Sequence, residues 1–330
     1  MEGLLALTPP NGLPDRWRRL RDLDPFVSLA DAADRLDVVE ADLVAALCGD
    51  GVLRLDGPFD DLIRVLPGLG RVRAVTRNRH ALIETRGVYP GFAAGCAGVA
   101  GEVGARFFLD QWRFGYALDE TCTPDGTAGL FFYDGRGRSV HEIHAESETD
   151  ARSFARLVDL FGCFDQSAGE EIVVASPTML APRADLGAWL RLAEAARPVA
   201  VAGLPELLEV VRGEAIPVSV GVRSPGVVHR MTGLLHEVGC TDGGLALEAP
   251  WVRVRVAMAQ VAEAWAVETP SLDGPVTSVE LLDAAANVVL TVAGARRPGK
   301  PEPELWRELV ARLATAPPQA ESAIRRAMIA

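Results

Sequence analysis

From residue 71 onward, apolar and polar side chains alternate in short runs. The runs are 71–77, 80–85, 104–112, 113–120, 127–134 and 139–145. A period of two places successive side chains on opposite faces of a strand. The stretch YDGRGR at 133–138 carries the Asp and Gly residues of a hairpin turn. We therefore predict an antiparallel meander, closed by a helix over 148–161, where the apolar spacing becomes helical.

Two short runs with helical spacing precede the strands, between Val27 and Leu47. Ser28 and Asp37 stand where N-caps would begin the two helices. The pair has the layout of a helix-turn-helix, which would indicate DNA binding. Its second helix, however, carries Glu40 and Asp42 where a recognition helix needs hydrogen-bond donors. We therefore predict that the two helices pack against the sheet.

The same order of elements recurs in the second half of the chain. A shift of 149 residues aligns Arg106 with Arg255 and Asp134 with Asp283. The strands of the second copy are predicted at 251–260, 262–268, 276–283 and 287–294, and its closing helix at 302–313. The chain is therefore interpreted as a tandem repeat.

The repeat sets the predicted fold class, which is α+β. We expect two tandem structural repeats, each a large antiparallel sheet with flanking helices, related by a pseudo-twofold axis. Residues 1–20 are assigned to an N-terminal tail, 21–166 to the first repeat and 167–330 to the second. A cleft between the halves is the expected ligand site.

Composition and charge exclude several classes of function. The chain has 33 Lys and Arg against 45 Asp and Glu, for a net charge of −12, so we expect neither nucleic acid nor an anionic membrane as a partner. The five cysteines form no C-x-x-C pair, which argues against a cysteine zinc site. No signal peptide or apolar span is evident, and we expect a cytoplasmic protein.

No hydrolase, kinase or nicotinamide motif appears, and the candidate chemistry therefore falls on single residues. His229 and Met231 are two residues apart in a predicted strand, so they share a face, and either can offer a ligand to iron. The alternative is a half-buried strand histidine beside a core methionine. Cys96 and Tyr89 are further possible ligands, each with a packing alternative.

Several motifs together resemble one known family. They are T-R-N at 76–78, W-x-V-x-x-P-x-x-D-G-x-V-T-S at 265–278 and R-R-P-G-x-P-E at 296–302. In this order and spacing, the chain from about residue 15 to 315 resembles the HemS-type heme-utilisation proteins, also called hemin-degrading factors. The resemblance implies a cytoplasmic two-repeat protein that takes up heme in a cleft and then transfers or degrades it. A heme-accepting protein is then a possible partner.

The resemblance also implies site residues. Arg106 matches a position that reaches over the heme from the first repeat, and Arg296 matches one that meets a propionate. An arginine at each place suits this role, because its planar guanidinium pairs with a carboxylate through two hydrogen bonds.

The family's histidines are replaced in this chain. Ala184 and Asp185 stand where the family's iron-ligating histidine motif is expected, and no histidine lies between His144 and His229. Further family histidines are missing from the segments at 83–85, 110–112 and 230–233. His229, with Met231 beside it, is therefore the metal ligand that we predict in place of the usual one.

Three hypotheses follow. The first is a cytoplasmic heme-binding protein of the heme-utilisation type with an altered iron ligand. The second is a heme-dependent enzyme of a biosynthetic pathway that uses the same scaffold. The third is a descendant that binds another small carboxylate-bearing ligand in the same place. The sequence leaves open whether the chain is an enzyme.

Overall fold

The computed structural model describes residues 12–91, 102–169, 195–241, 243–297 and 299–316. In this part of the chain the α-helices are α1 (Leu13–Leu23), α2 (Leu29–Leu36), α3 (Glu40–Ala45), α4 (Phe59–Val65), α5 (Ala151–Phe161), α6 (Leu204–Gly213) and α7 (Glu304–Arg312). Helix α1 thus begins within the stretch 1–20 that the sequence assigned to a tail.

The strands belong to two groups in chain order. Those before residue 150 are β1 (Val52–Leu55), β2 (Gly70–Arg77), β3 (Ala81–Val88), β4 (Ala105–Phe107), β5 (Phe114–Leu118), β6 (Gly129–Tyr133) and β7 (Ser139–Thr149). The later strands are β8 (Ala195–Val199), β9 (Val218–Ser224), β10 (Val227–Gly233), β11 (Glu237–Thr241), β12 (Gly244–Ala249), β13 (Val252–Ala257), β14 (Glu263–Thr269), β15 (Val276–Leu282) and β16 (Val288–Gly294).

These strands form two antiparallel sheets. The first sheet has the order β1-β5-β6-β7-β2-β3-β13-β12-β11, and the second has the order β4-β10-β9-β16-β15-β14-β8. With the helices that flank them, the two sheets confirm the predicted α+β class and its tandem repeats.

Equivalent turns show the repeat in atomic detail. Asp134 follows β6, and its Oδ1 accepts hydrogen bonds from the backbone N–H groups two and four residues further on, both at 2.9 Å. Asp283 follows β15, and its Oδ1 accepts the same two bonds at 2.9 and 2.8 Å. A carboxylate that closes a turn in this way fixes the hairpin in both copies.

Strands cross between the repeats, which the sequence did not predict. β4 leaves its own sheet and pairs with β10, and β13 pairs with β3. The predicted meander is therefore continuous only over β5, β6 and β7. The predicted strand at 104–112 is shorter than expected, because a 3-10 turn over Leu109–Gln111 follows β4.

The helices cover the sheets in three clusters. α4 and α5 pack with the first sheet around Leu62 and Leu157. α1, α2 and α3 cover another part of the first sheet around Trp17 and Leu43. α6 and α7 pack against the second sheet, where Trp306 is fully buried. The predicted packing of the N-terminal helical pair against a sheet is thus confirmed.

The observed N-cap residues of α2 and α3 agree with the prediction only in part. The Ser28 hydroxyl accepts from the backbone N–H of Asp31 and begins α2, as predicted. The prediction for Asp37 was wrong: it ends α2 in a left-handed conformation with φ of 54°, and Val39 precedes α3. Asp tolerates this conformation better than most residues, so a helix stop and a helix start are easily confused at this position.

Candidate functional site

His229 lies in the interior, between the two sheets. Its Nε2 shares a hydrogen bond of 2.9 Å with Thr85 Oγ1, and its Nδ1 shares one of 3.1 Å with Thr76 Oγ1. The side chain is fully buried. Burial lowers the pKa of His229 well below its ordinary value, and the neighbouring His141 lowers it further. The imidazole is therefore neutral, and both nitrogens are engaged.

The same hydrogen bonds continue to the first repeat. Thr76 Oγ1 lies 2.8 Å from His141 Nδ1, and His141 Nε2 lies 2.6 Å from the Tyr89 hydroxyl. A threonine hydroxyl donates and accepts, so Thr76 serves both imidazoles. Burial lowers the pKa of His141 to about 3. We call Tyr89, His141, Thr76, His229 and Thr85 the buried histidine chain; it joins the two sheets.

Met231 lies on the same face of β10 as His229, and it is 4% exposed in the core of the second repeat. For either side chain to meet iron at the surface, it would have to leave the interior. Iron ligation by His229 or Met231 stays a prediction, and the buried positions of the two side chains do not support it.

The opposite surface of the second sheet carries charged side chains. We define this polar face by Arg106, Arg223, Arg230, Glu280, Thr291 and Trp265. Arg106 on β4 and Arg223 on β9 both face Val228 of β10, so the three residues form one row across the sheet. Two strand spacings separate the arginines, or roughly 10 Å between their backbones.

Glu280 lies near the middle of the polar face. Ser278 Oγ donates to one carboxyl oxygen at 3.0 Å, and Thr291 Oγ1 donates to the other at 2.6 Å. Burial raises the pKa of Glu280, against the opposing effects of Thr291 and of the positive charge of Arg223. The polar face thus contains a buried carboxyl that two hydroxyl groups hold in place, with arginines around it.

Arg106 is exposed and rests over the ring of Phe108, 5.3 Å from its centroid. Among the described residues, no direct ion pair involves Arg106 or Arg223, and Arg223 acts on the Glu280 carboxyl only through its charge. Both guanidinium groups are therefore able to bind an acidic ligand.

Arg296 lies just beyond β16, where its Nη1 donates to Ser271 Oγ at 2.9 Å. Its Nη2 is 3.7 Å from Asp273 Oδ2, which is too long for a hydrogen bond. In the described part of the chain, Nε and Nη2 are buried without a hydrogen-bond acceptor, and so is Thr269 Oγ1 on β14. These unsatisfied groups would be satisfied by a ligand that carries oxygen acceptors.

The structure therefore places the predicted residues in three locations. His229 and Met231 are in the interior, Arg106 is at one end of the second sheet, and Arg296 is at the other. The segment with Ala184 and Asp185, and Cys96, lie outside the described residues. Sequence reasoning missed Arg223, Arg230 and Glu280. The alternation within 218–224 and 227–233 was a usable signal, but the row of arginines depends on strand register.

A second surface feature is a pocket on the first sheet, between β3, β12 and β13. It is lined by Arg86, Glu84, Glu248, Trp251 and Arg253 among others. Charges of both signs line it, and Arg86 already pairs with Glu146 at 2.7 Å. The pocket is therefore a poorer match for an acidic ligand than the polar face.

The described residues contain neither a cluster suited to a metal ion nor a helix suited to a membrane. No group of three or more His, Cys, Asp or Glu side chains among them is placed to hold a metal ion. Within the same residues, no helix has the length and apolar content needed to cross a bilayer.

Comparison with known proteins gives a consistent picture. The model of the family described as haemin-degrading HemS.ChuX domain matches residues 37–161 and 183–313. The hemin transport protein HmuS of Yersinia pestis is 25% identical over 316 residues, covering 86% of this chain and 92% of that protein. The hemin transport protein HemS of Yersinia enterocolitica is 24% identical with the same coverage.

Solved structures show the same fold. Apo-PhuS, a heme-binding protein from Pseudomonas aeruginosa, is 26% identical with a TM-score of 0.79, covering 92% of this chain and 99% of that one. The heme-degrading enzyme ChuS of Escherichia coli O157:H7 has the same TM-score at 23% identity, covering 92% and 98%.

Proposed function

Because the chain belongs to the haemin-degrading HemS.ChuX domain family, we propose that it binds heme on the polar face of the second sheet. Heme is the cargo or substrate in this proposal, as its relatives' names, hemin transport protein and heme-binding protein, suggest. Transfer to a heme-accepting protein and degradation both remain within the proposal, and so does a cytoplasmic location.

The observation that carries the proposal is the guanidinium of Arg296, which lies just beyond β16 and outside the six residues that define the polar face. A buried charged donor without an acceptor is costly, on the order of 1–3 kcal/mol or more. Nε and Nη2 both lack a hydrogen-bond acceptor among the described residues, although Asp273 lies 3.7 Å from Nη2, and Thr269 Oγ1 beside β15 lacks a hydrogen-bond partner as well. A heme propionate has two acceptor oxygens and a negative charge, so it would satisfy the guanidinium.

Arg106 would contact a different part of the same ligand. The strand register places Arg106 level with Arg223. Arg296 lies several residues further along the strand direction, roughly 20 Å from this row at about 3.3 Å per residue. The side chain of Arg106 is exposed and has no acidic partner among the described residues. Arg106 is therefore available to reach over the ring, the role that the family resemblance implies.

The carboxylates of heme fit this face better than its iron does. Among the described residues that define the polar face, none is a histidine, cysteine, tyrosine or methionine. The altered iron ligand in our proposal is thus not supplied by these residues. Chemistry at the iron would depend on a ligand from elsewhere or on an open coordination position.

Titration of the full chain with hemin tests the proposal. We expect a saturable change in the Soret absorbance near one hemin per chain. Arg296→Ala should weaken binding by about 1.5–3 kcal/mol, or roughly ten- to a hundredfold, because a charge-assisted bond to a propionate is lost. Arg156→Ala, an exposed arginine on α5, is the matched control and should bind as the wild type does.

Two results would contradict the proposal. The absence of any saturable change would favour the third hypothesis, in which the same face holds another carboxylate-bearing ligand. Equal affinity of the wild type and Arg296→Ala would remove Arg296 from the site.

A further inference from the structure

Residues that commonly bind heme iron lie away from the polar face. All five histidines are within the described residues. His141 and His229 belong to the buried histidine chain, and His144 lies near Glu142 and Thr127 on the first sheet. His80 faces Asp283, and His236 lines the pocket beside Trp251.

The other ligand types are placed similarly. All three tyrosines are buried in the first repeat. Cys48 and Cys122 are buried under α1–α3, and Cys240 is on β11 at the far edge of the first sheet. The backbone N–H of Cys163 donates to the carbonyl of Arg54 on β1, so Cys163 also lies at the first sheet. Described residues therefore bring arginines, and no histidine, thiol or phenol, to the polar face.

The two repeats allow a direct comparison of equivalent positions. In the first sheet, Arg77 and Arg255 both face Leu82 of β3. This is the same arrangement as Arg223 and Arg106 on either side of Val228 in the second sheet, and the 149-residue shift relates Arg106 to Arg255. Arg77 is thus the counterpart of Arg223.

In the first repeat, the chain supplies the carboxylate for that arginine. Arg77 Nη2 lies 2.5 and 2.6 Å from the two Glu40 oxygens, and Nε donates to Glu142 Oε1 at 2.8 Å. Glu40 comes from α3, a helix that covers this part of the first sheet. The first repeat therefore contains an internal example of a carboxylate held on this face by an arginine.

In the second repeat, one of the two corresponding acids is replaced, and the position equivalent to the other, residue 189, lies outside the described residues. The 149-residue shift aligns Glu142 with Thr291, a neutral residue. Arg223 has no ion pair among the described residues, and the nearby Glu280 carboxyl is already held by Ser278 and Thr291. Among the described residues, this half-buried guanidinium interacts with Glu280 only through its charge and lacks the direct ion pair that its counterpart Arg77 has.

We propose that Arg223 binds a ligand carboxylate as Arg77 binds Glu40, and that the polar face recognises a tetrapyrrole through its carboxylates, with no ligand to its metal from the described residues of that face. This inference rests on the proposed function and narrows its ligand class. Metal-free porphyrins with free carboxylates are then ligands of the same site, with affinity equal to that for hemin.

The test compares three probes on the full chain by quenching of tryptophan fluorescence: hemin, metal-free protoporphyrin IX and its dimethyl ester. We expect the first two to bind within about threefold of each other, and the ester, which lacks free carboxylates, to bind at least tenfold more weakly. Arg223→Ala should weaken hemin and metal-free porphyrin by the same factor, about tenfold. Arg255→Ala, the exposed counterpart of Arg106 on the first sheet, should change neither.

Each other outcome contradicts a specific statement. Hemin that binds more than thirtyfold tighter than metal-free porphyrin would overturn the inference and leave the proposed function intact. Equal binding of the acid and the ester would overturn carboxylate recognition, and unchanged affinity in a folded Arg223→Ala variant would remove Arg223. Failure of all three probes to bind would overturn the proposed function as well.

Discussion

At the scale of single residues, the buried histidine chain links protonation to folding. His141 and His229 are neutral in the folded protein because burial lowers the pKa of each, that of His141 to about 3. In the unfolded chain both titrate near pH 6.5. A lowered folded pKa gives stability that is present above pH 6.5 and is lost as pH falls toward the folded pKa.

We therefore expect the free energy of unfolding to fall as pH is lowered from about 6.5 to 4. Each histidine contributes roughly 1.4 kcal/mol per pH unit in this window. Urea denaturation at several pH values measures the slope. The His141→Gln, His229→Gln double variant should lose this part of the slope, and His236→Gln, at an exposed position, should keep it. A double variant with the wild-type slope would show that the two histidines titrate normally.

The sequence could identify the residues of the candidate site only in part. Arg106 and Arg296 were found through motifs, because the family resemblance extends over their neighbourhoods. A half-buried His229 was among the alternatives, but the structure buries it fully, and its partners Thr76 and Thr85 are about 150 residues away in the chain. Contacts at that separation depend on how the sheets pack, which local spacing does not specify.

At the scale of elements, the β6–β7 hairpin connects the first sheet to the N-terminal helices. Gly137 in its turn has φ of +71°, and its carbonyl accepts from the backbone N–H of Ala41 at 3.3 Å. A Cβ at this position would lie 2.3 Å from Val39 Cγ1. The turn therefore needs glycine both for its conformation and for the close approach of the helix.

Gly126 provides the matched control, since it has φ of +67° but no atom within 4 Å of an added Cβ. We expect Gly126→Ala to cost about 1 kcal/mol of stability through backbone strain alone. Gly137→Ala should cost about 2–4 kcal/mol, because crowding against Val39 is added. Chemical denaturation of both variants measures the difference. Equal losses would mean that the hairpin does not pack tightly on the helices.

Element types were largely predictable from the sequence, and element partners were not. The alternation at 251–260 predicted β13, and the 149-residue shift made it equivalent to β4. Two equivalent strands can each pair within their own repeat or change places between the repeats, as in domain swapping. The sequence pattern is the same in both cases. The exchange of β4 and β13 is therefore a property of the tertiary fold.

At the scale of the whole molecule, this exchange joins the two repeats into one unit. β4 completes the second sheet, and β11, β12 and β13 extend the first. A division at residue 166/167, which stays a proposal, would leave β3 and β10 as unpaired edges. Such edges expose backbone groups that favour aggregation.

We therefore expect a single cooperative unfolding transition for the full chain. Far-ultraviolet circular dichroism and tryptophan fluorescence should give coincident curves in urea. Residues 12–166 expressed alone should aggregate or remain unfolded. Two separate transitions, or a stable monomeric half, would show that each repeat folds without the strand of the other.

The central claim is that the polar face of the second sheet holds heme. Crystals of the protein grown with hemin, measured on both sides of the iron absorption edge, would locate the iron directly by its anomalous difference density. We expect one iron peak per chain, above the second sheet between Arg296 and the row of Arg106 and Arg223. An iron peak in the pocket beside Trp251, or over the first sheet, would contradict the account.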